Sequence, residues 1–481
     1  MNRDDICFTP ATELARMIRE GELSALEATE AVLSRIEEIE PKINSFVTVS
    51  ADEARRDAKA ADQARAKSKS KGADLGPLHG VPLGVKDLLN TKGVRTTFCS
   101  LAYENNVPDT DCVAMARLRA AGAILVGKTT SPEFGHKPMT EAPLFGKTYN
   151  PWDQSLTAGG SSGGAGAAAA AGLAPLHVGT DAGGSIRIPA AACGIVGMKQ
   201  TLGLVPHDMN GETFGLFSFI GPMTRTVADA GLMLAAMAGP HPSDIHSLGR
   251  PPVEDLAKAA RGEGDLKGVR IGWRMFLGND VIDTETRELF ERALPAFEEL
   301  GAELVPYEGP FTPTLPIWQP IIFSAFAVRF SKLMEQLGDR MTETLRYWTK
   351  KGADYSATDV QAAMQTRTTV FRQVQSWFDN VDLVVTPTIA RPAIPIDHDP
   401  REPIEIEGRK LDEPRASWYP YTHPFNMTGH PAITLPTGWT KARLPVALQI
   451  VGPWLADGRV LHAAACFERA RPWSDKRPTL A

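Results

Sequence analysis

Two glycine-flanked serine loops constrain this chain more than any other feature. The first is TAGGSSGG, Thr157 to Gly164, which runs at once into AGAAAAAG. The second is GTDAGGSIRIP, residues 179–189, where another glycine pair stands directly before a serine, Ser185. Glycine loses more backbone freedom on folding than any other residue, so a cluster of it marks backbone doing something other residues cannot. Three structures compete for the first loop. A flexible linker would be polar throughout, whereas this stretch leads into helix-favouring alanines and apolar strands. A P-loop needs a lysine after its last glycine, and none follows Gly163 or Gly164. Residues 164–169 match G-x-G-x-x-A with Asp181 downstream, but a dinucleotide fingerprint follows a strand, and NPWDQSLTAGGSS is polar and turn-like. The third structure is a catalytic loop in which serine does the chemistry.

A serine hydroxyl is a weak nucleophile and needs a base beside it. The ten histidines supply no partner for a G-x-S-x-G elbow, and GGSIR is not one. Lysine serves if it is neutral, and burial favours the neutral form. Lys86 qualifies, because it ends the apolar run Val81 to Val85, which reads as a buried strand. Cys193 in AACGIVG reads as a small buried thiol, with a nucleophile as the competing role. His79 reads as a packed loop histidine, while His423 and His430 in YTHPFNMTGHP lie where they could border a pocket.

The surrounding pattern alternates helix and buried strand. Residues 113–128 read as a helix, a stop at Gly122 and a strand over 123–126. Residues 165–178, 226–237, 296–306 and 381–385 continue the alternation, which predicts an α/β fold with a largely buried sheet. The first 60 residues read as helical. Thr9 and Pro10 look like a cap and first helical position, Ser24 to Glu27 is a capping box, and Pro41 ends the helix that carries Leu26, Leu33 and Ile36. Residues 66–74 read as a polar loop within one domain.

Bulk properties narrow the function. Hydrophobic residues make up 43% and charged residues 22% of the 481, with 51 basic against 57 acidic side chains. A net charge of −6 argues against a general nucleic-acid or membrane-surface role. No run reaches the roughly 18 apolar residues of a membrane span. Five cysteines without a C-x-x-C pair argue against a zinc site or disulfide framework, and with no apolar leader the chain reads as cytoplasmic.

Taken with GVPLGVKD around Lys86, the two serine loops resemble the amidase signature family. Weaker matches follow in IGPMTRTVAD, DLVVTPT, FNMTGHPA and LPVALQIVG, so the resemblance spans roughly residues 80–452. It implies one α/β domain over 1–481, with a mixed twisted sheet covered by helices on both faces. Within it, 1–65 would be a helical start, 80–240 the catalytic core, 241–430 a more variable, partly pocket-forming region, and 431–481 a return to the core. By motif, Ser185 would be the nucleophile, Ser161 a bridging serine beside a cis peptide, and Lys86 the base. The N–H groups of Ala182, Gly183, Gly184 and Ser185 would form the oxyanion hole. Ser162, Thr180, Asp181 and Arg187 would be supporting residues, with Asp181 and Arg187 paired. The resemblance implies no metal or organic cofactor, a small-molecule amide substrate, no nucleic-acid or membrane partner, and a homodimer as a common family state.

Two members of that family fit differently. A stand-alone amidohydrolase would cleave carboxylic amides, with aryl esters or carbamates as further substrates. A glutaminase subunit of a tRNA-dependent amidotransferase would hold glutamine with an arginine in a Leu-Gly-Thr-type stretch. Here the corresponding residues 339–359 lack that element. Residues 415–431 are also heavy in aromatics, which favours the stand-alone enzyme and an aryl or hydrophobic amide. Trp348, Trp418, Tyr419 and Phe425 are candidate pocket residues, since pockets are mostly apolar and aromatic. Outside this class stands a non-catalytic interaction protein on the same fold, which intact Lys86, Ser161 and Ser185 argue against.

Overall fold

A computed structural model of the chain describes residues 1–68, 75–215, 217–251 and 255–480. Most of the polar loop expected over 66–74 therefore lies outside the described residues. Eleven strands form one mixed sheet. They are β1 (Phe46–Val49), β2 (Pro82–Lys86), β3 (Ile124–Thr129), β4 (Leu176–Asp181), β5 (Val196–Lys199), β6 (Phe219–Thr224), β7 (Arg270–Trp273), β8 (Glu303–Pro306), β9 (Leu383–Pro387), β10 (Ala432–Trp439) and β11 (Pro445–Val451). Their spatial order is β1-β3-β2-β4-β6-β5-β10-β11-β9-β7-β8. β2 runs parallel to both β3 and β4, and β4 is antiparallel to β6. The central strands β2, β3, β4, β6, β9 and β11 are buried along their whole length, as expected for strands covered on both faces. The α/β class expected from the alternation and the mixed sheet implied by the resemblance are both present.

The differences are local. Pro41 does not end its helix, which runs Ala25–Ile43. A proline this close to the C-terminus removes one backbone N–H hydrogen bond and leaves the preceding turns intact. Pro10 is the cap of Ala11–Glu20 rather than its first residue, and the Ser24 capping box is formed. The short edge strand Phe46–Val49 interrupts a segment that reads as helical throughout. No helix among the described residues is long and apolar enough to cross a membrane.

The helix Gly163–Ala170 is buried at every one of its eight positions. Small residues allow this approach. A Cβ on Gly164 would lie 2.3 Å from Thr130 Oγ1 and 2.6 Å from the Ser45 carbonyl. The glycine–alanine run is thus the packing surface that presses the first serine loop onto the ends of β2 and β4.

Candidate active site

β2 carries Lys86 to its C-terminal end, where the side chain is 0% exposed. The neighbouring strand β4 ends in Thr180 and Asp181. The glycine-serine loop crosses above both strands. Lys86 Nζ lies 2.7 Å from Ser161 Oγ, 2.8 Å from Ser162 Oγ and 2.9 Å from Thr180 Oγ1. Burial drives the Lys86 ammonium down from 10.5 to about 7, against the opposing pull of Cys99 and Asp181. The Ser162 hydroxyl donates to the Thr180 carbonyl at 3.1 Å, so toward the lysine it accepts. A neutral amine keeps one lone pair, and that lone pair has Ser161 or Thr180 as its hydroxyl donor. The Gly160–Ser161 peptide is cis.

The second loop is tied to the first by the Ser162 N–H donating to the Ser185 carbonyl at 3.1 Å. Ser185 itself is half-buried, and its hydroxyl makes no hydrogen bond among the described residues. Asp181 organises this loop. Its carboxylate accepts from the N–H of Gly184 at 2.6 Å and of Ile186 at 3.2 Å. Arg187 forks onto both carboxylate oxygens at 3.1 Å. Burial would raise the Asp181 carboxyl, but the guanidinium and hydrogen bonds outweigh it and hold it at about 2.

The four N–H groups expected to form an oxyanion hole differ in their hydrogen bonding. Gly184 has spent its N–H on Asp181, leaving the N–H groups of Ala182, Gly183 and Ser185 without a hydrogen bond among the described residues. The carbonyls of the same turn are held elsewhere: Trp318 Nε1 donates to Ala182 O at 3.2 Å and Thr422 Oγ1 to Gly183 O at 2.8 Å.

Several contributors are not in the sequence-derived set. Asn426 donates to the Asp181 carbonyl and carboxylate, both at 2.8 Å, and accepts from Arg187 at 2.6 Å. Gln449 accepts from Arg187 at 3.2 Å. Both stand in stretches that carry the family resemblance, FNMTGHPA and LPVALQIVG, which was the available signal. Residues 132–140 brace the first loop, with Thr140 Oγ1 donating to the Gly159 carbonyl at 2.9 Å. Gly135 faces Ser161 so closely that a Cβ there would be 3.2 Å from its Oγ.

The aromatic candidates divide. Trp418 and Phe425 are wholly buried, the former bonded through Nε1 to the Arg391 carbonyl. Trp348 stacks on Phe323 at 4.7 Å, behind Trp318. A different aromatic wall joins the two loops. It starts at Trp318, 3.3 Å from where a Gly183 Cβ would be. It continues through Phe323, Phe326 and Phe330 to Phe134, next to Gly135, with centroid spacings of 5.9, 6.2, 5.7 and 4.8 Å. His430 lies among Phe371, Phe378 and Gln375, and burial drives His423 down to about 3. His79 bonds the Ala61 carbonyl, and burial pushes the Cys193 thiol far up, away from nucleophilic use.

The chain is similar to known proteins along nearly its whole length. The family model for Amidase matches residues 27–461. An acylamidase of Rhodococcus erythropolis is 37% identical over 99% of this chain and 98% of its own. A glutamyl-tRNA(Gln) amidotransferase subunit of Roseiflexus sp. (strain RS-1) is 36% identical, covering 96% of both. The crystal structure of a bacterial aryl acylamidase of the amidase signature family superposes with a TM-score of 0.88 at 31% identity, covering 97% of each chain.

Proposed function

The chain belongs to the amidase signature family and hydrolyses amide C–N bonds, and from that premise we propose that it works alone on aryl amides through an acyl-enzyme on Ser185. The observation that carries the reading is the fully buried Lys86 amine, held by three hydroxyls with its pKa brought to about 7. Neutral Lys86 takes a proton from Ser161 as Ser161 takes one from Ser185. The Ser185 oxygen attacks the amide carbonyl, and the oxyanion forms against the N–H groups of Ala182, Gly183 and Ser185. Donors fixed in place before charge develops need no reorganisation when it does. The proton then returns through Ser161 to the leaving nitrogen, the amine departs, and water deacylates the serine by the same route.

The aryl preference is supported by the wall from Trp318 to Phe134, which joins the nucleophile loop to the Ser161 loop. Aryl esters and carbamates present the same carbonyl to the same groups. The test is to give the purified chain glutamine, an aliphatic amide, an anilide and an aryl carbamate, beside Ser185→Ala. The anilide or carbamate is expected to be cleaved, with kcat/KM lower by about ten-thousandfold or more in the variant. Cleavage of glutamine alone would transfer the reading to the glutaminase role in an amidotransferase.

A further inference from the structure

The aromatic cluster behind Trp318 holds more hydrogen-bond donors than acceptors. Arg415 is 3% exposed, with its guanidinium carbon 4.6 Å from the Trp348 ring centre, 5.3 Å from Phe323 and 5.4 Å from Trp318. Its carboxylate neighbour is Glu413, at 3.5 Å, which already accepts from Gln319 at 2.7 Å. A guanidinium carries five N–H donors. Those of Arg415 make no hydrogen bond among the described residues, and neither does the buried indole N–H of Trp348. Tyr419, 5% exposed, likewise has a hydroxyl without a partner among them. Lys351 adds a second cation, 5.5 Å from the Trp348 ring centre.

Arg187 shows what a purely structural buried arginine looks like in this protein. Its Nε, Nη1 and Nη2 all reach oxygen acceptors on Asp181, Gln449 and Asn426. Arg415, 3% exposed, lacks such acceptors and has only the Glu413 carboxylate beside it, at 3.5 Å. The imbalance lies one indole away from the nucleophile loop, since the ring flanked by Arg415 also donates to the Ala182 carbonyl.

We propose that Arg415, with the Tyr419 hydroxyl, binds a carboxylate carried by the amide substrate away from its scissile bond. The inference rests on the acyl-enzyme reading above and adds the substrate class, an amide bearing a remote acid. A planar guanidinium matches a carboxylate in two parallel bonds, which favours an acid over a neutral carbonyl.

Two matched probe pairs test it. N-succinyl-4-nitroanilide and N-butyryl-4-nitroanilide place or omit the acid on the acyl side. 4-Acetamidobenzoate and acetanilide do so on the amine side. The wild type is expected to favour one acid over its neutral partner by about tenfold or more in kcat/KM, mainly through KM. Arg415→Met should abolish that advantage while changing the neutral partner by no more than about twofold. Arg415→Lys, which keeps the stem and the charge, should narrow the advantage, and it serves as the readout should the methionine variant not fold. No advantage in the wild type, an advantage untouched by the substitutions, or equal losses on both partners would overturn the proposal. Cleavage of the neutral anilides without acid preference removes this inference alone. Failure to cleave any probe removes the reading beneath it as well.

Discussion

Lys86 is one of three wholly buried lysines among the described residues, and burial alone does not mark it out. Lys128 bonds the Leu89 carbonyl and two threonines, while Lys199 bonds the Gln200 carbonyl over the Phe219 ring. What separates Lys86 is its company: two hydroxyls from a single glycine loop and one from the adjacent strand. Bringing its pKa from 10.5 to about 7 corresponds to roughly 5 kcal/mol of lost proton affinity. The sign of the pH effect follows. Below about pH 7 the amine is protonated and has no lone pair for Ser161, and above it the base is free. The pH profile of kcat/KM should therefore rise about tenfold per unit up to about 7 and then level, and Lys86→Met should be inactive at every pH. A profile flat from pH 5 to 8 would remove Lys86 from the role of base. Lys86 was legible in the sequence because an apolar run ended in a charge. Its three partners were legible only through the family resemblance, because nothing in a serine's neighbours says which lysine it meets.

At the scale of the element, the second serine loop is a turn fixed from within and without. Asp181 holds it from inside through the Gly184 and Ile186 amides, and Thr422 and Trp318 hold its carbonyls from outside. Gly184 has φ +123°, and a Cβ there would lie 2.3 Å from Thr422 Oγ1. Gly184→Ala should displace the Ala182 to Ser185 amides and lower kcat by about a hundredfold or more, with a fall in Tm from the strained turn. Unchanged kcat with an unchanged Tm would mean that the turn does not position the oxyanion donors. The glycine pairs announced such a turn in the sequence. They did not reveal that one of the four amides is consumed by Asp181, since that follows from a side-chain rotamer. Likewise, the buried strands were legible as apolar runs, whereas four residues of FVTV are too few to distinguish an edge strand from helix.

Across the whole molecule, the sheet brings together residues that the sequence keeps far apart. β4 and β11 lie on either side of β6, β5 and β10, and the contacts above the sheet join Asp181 and Arg187 to Asn426 and Gln449. No local pattern encodes a partner some 250 positions away, so this network was visible only as unexplained family motifs. The aromatic wall was hidden for the same reason, because Phe134 and Trp318 come from segments with no shared periodicity. In the proposed mechanism the single chain is nevertheless sufficient for acyl transfer. The most direct test is to mix the purified chain, with no other protein present, with an aryl carbamate or anilide, quench in acid and measure the masses of its peptides. An acyl adduct is expected on the peptide that contains Ser185, absent from Ser185→Ala and from Lys86→Met. An adduct on Cys193 or any other residue, or turnover that persists without Ser185, would contradict the proposed mechanism.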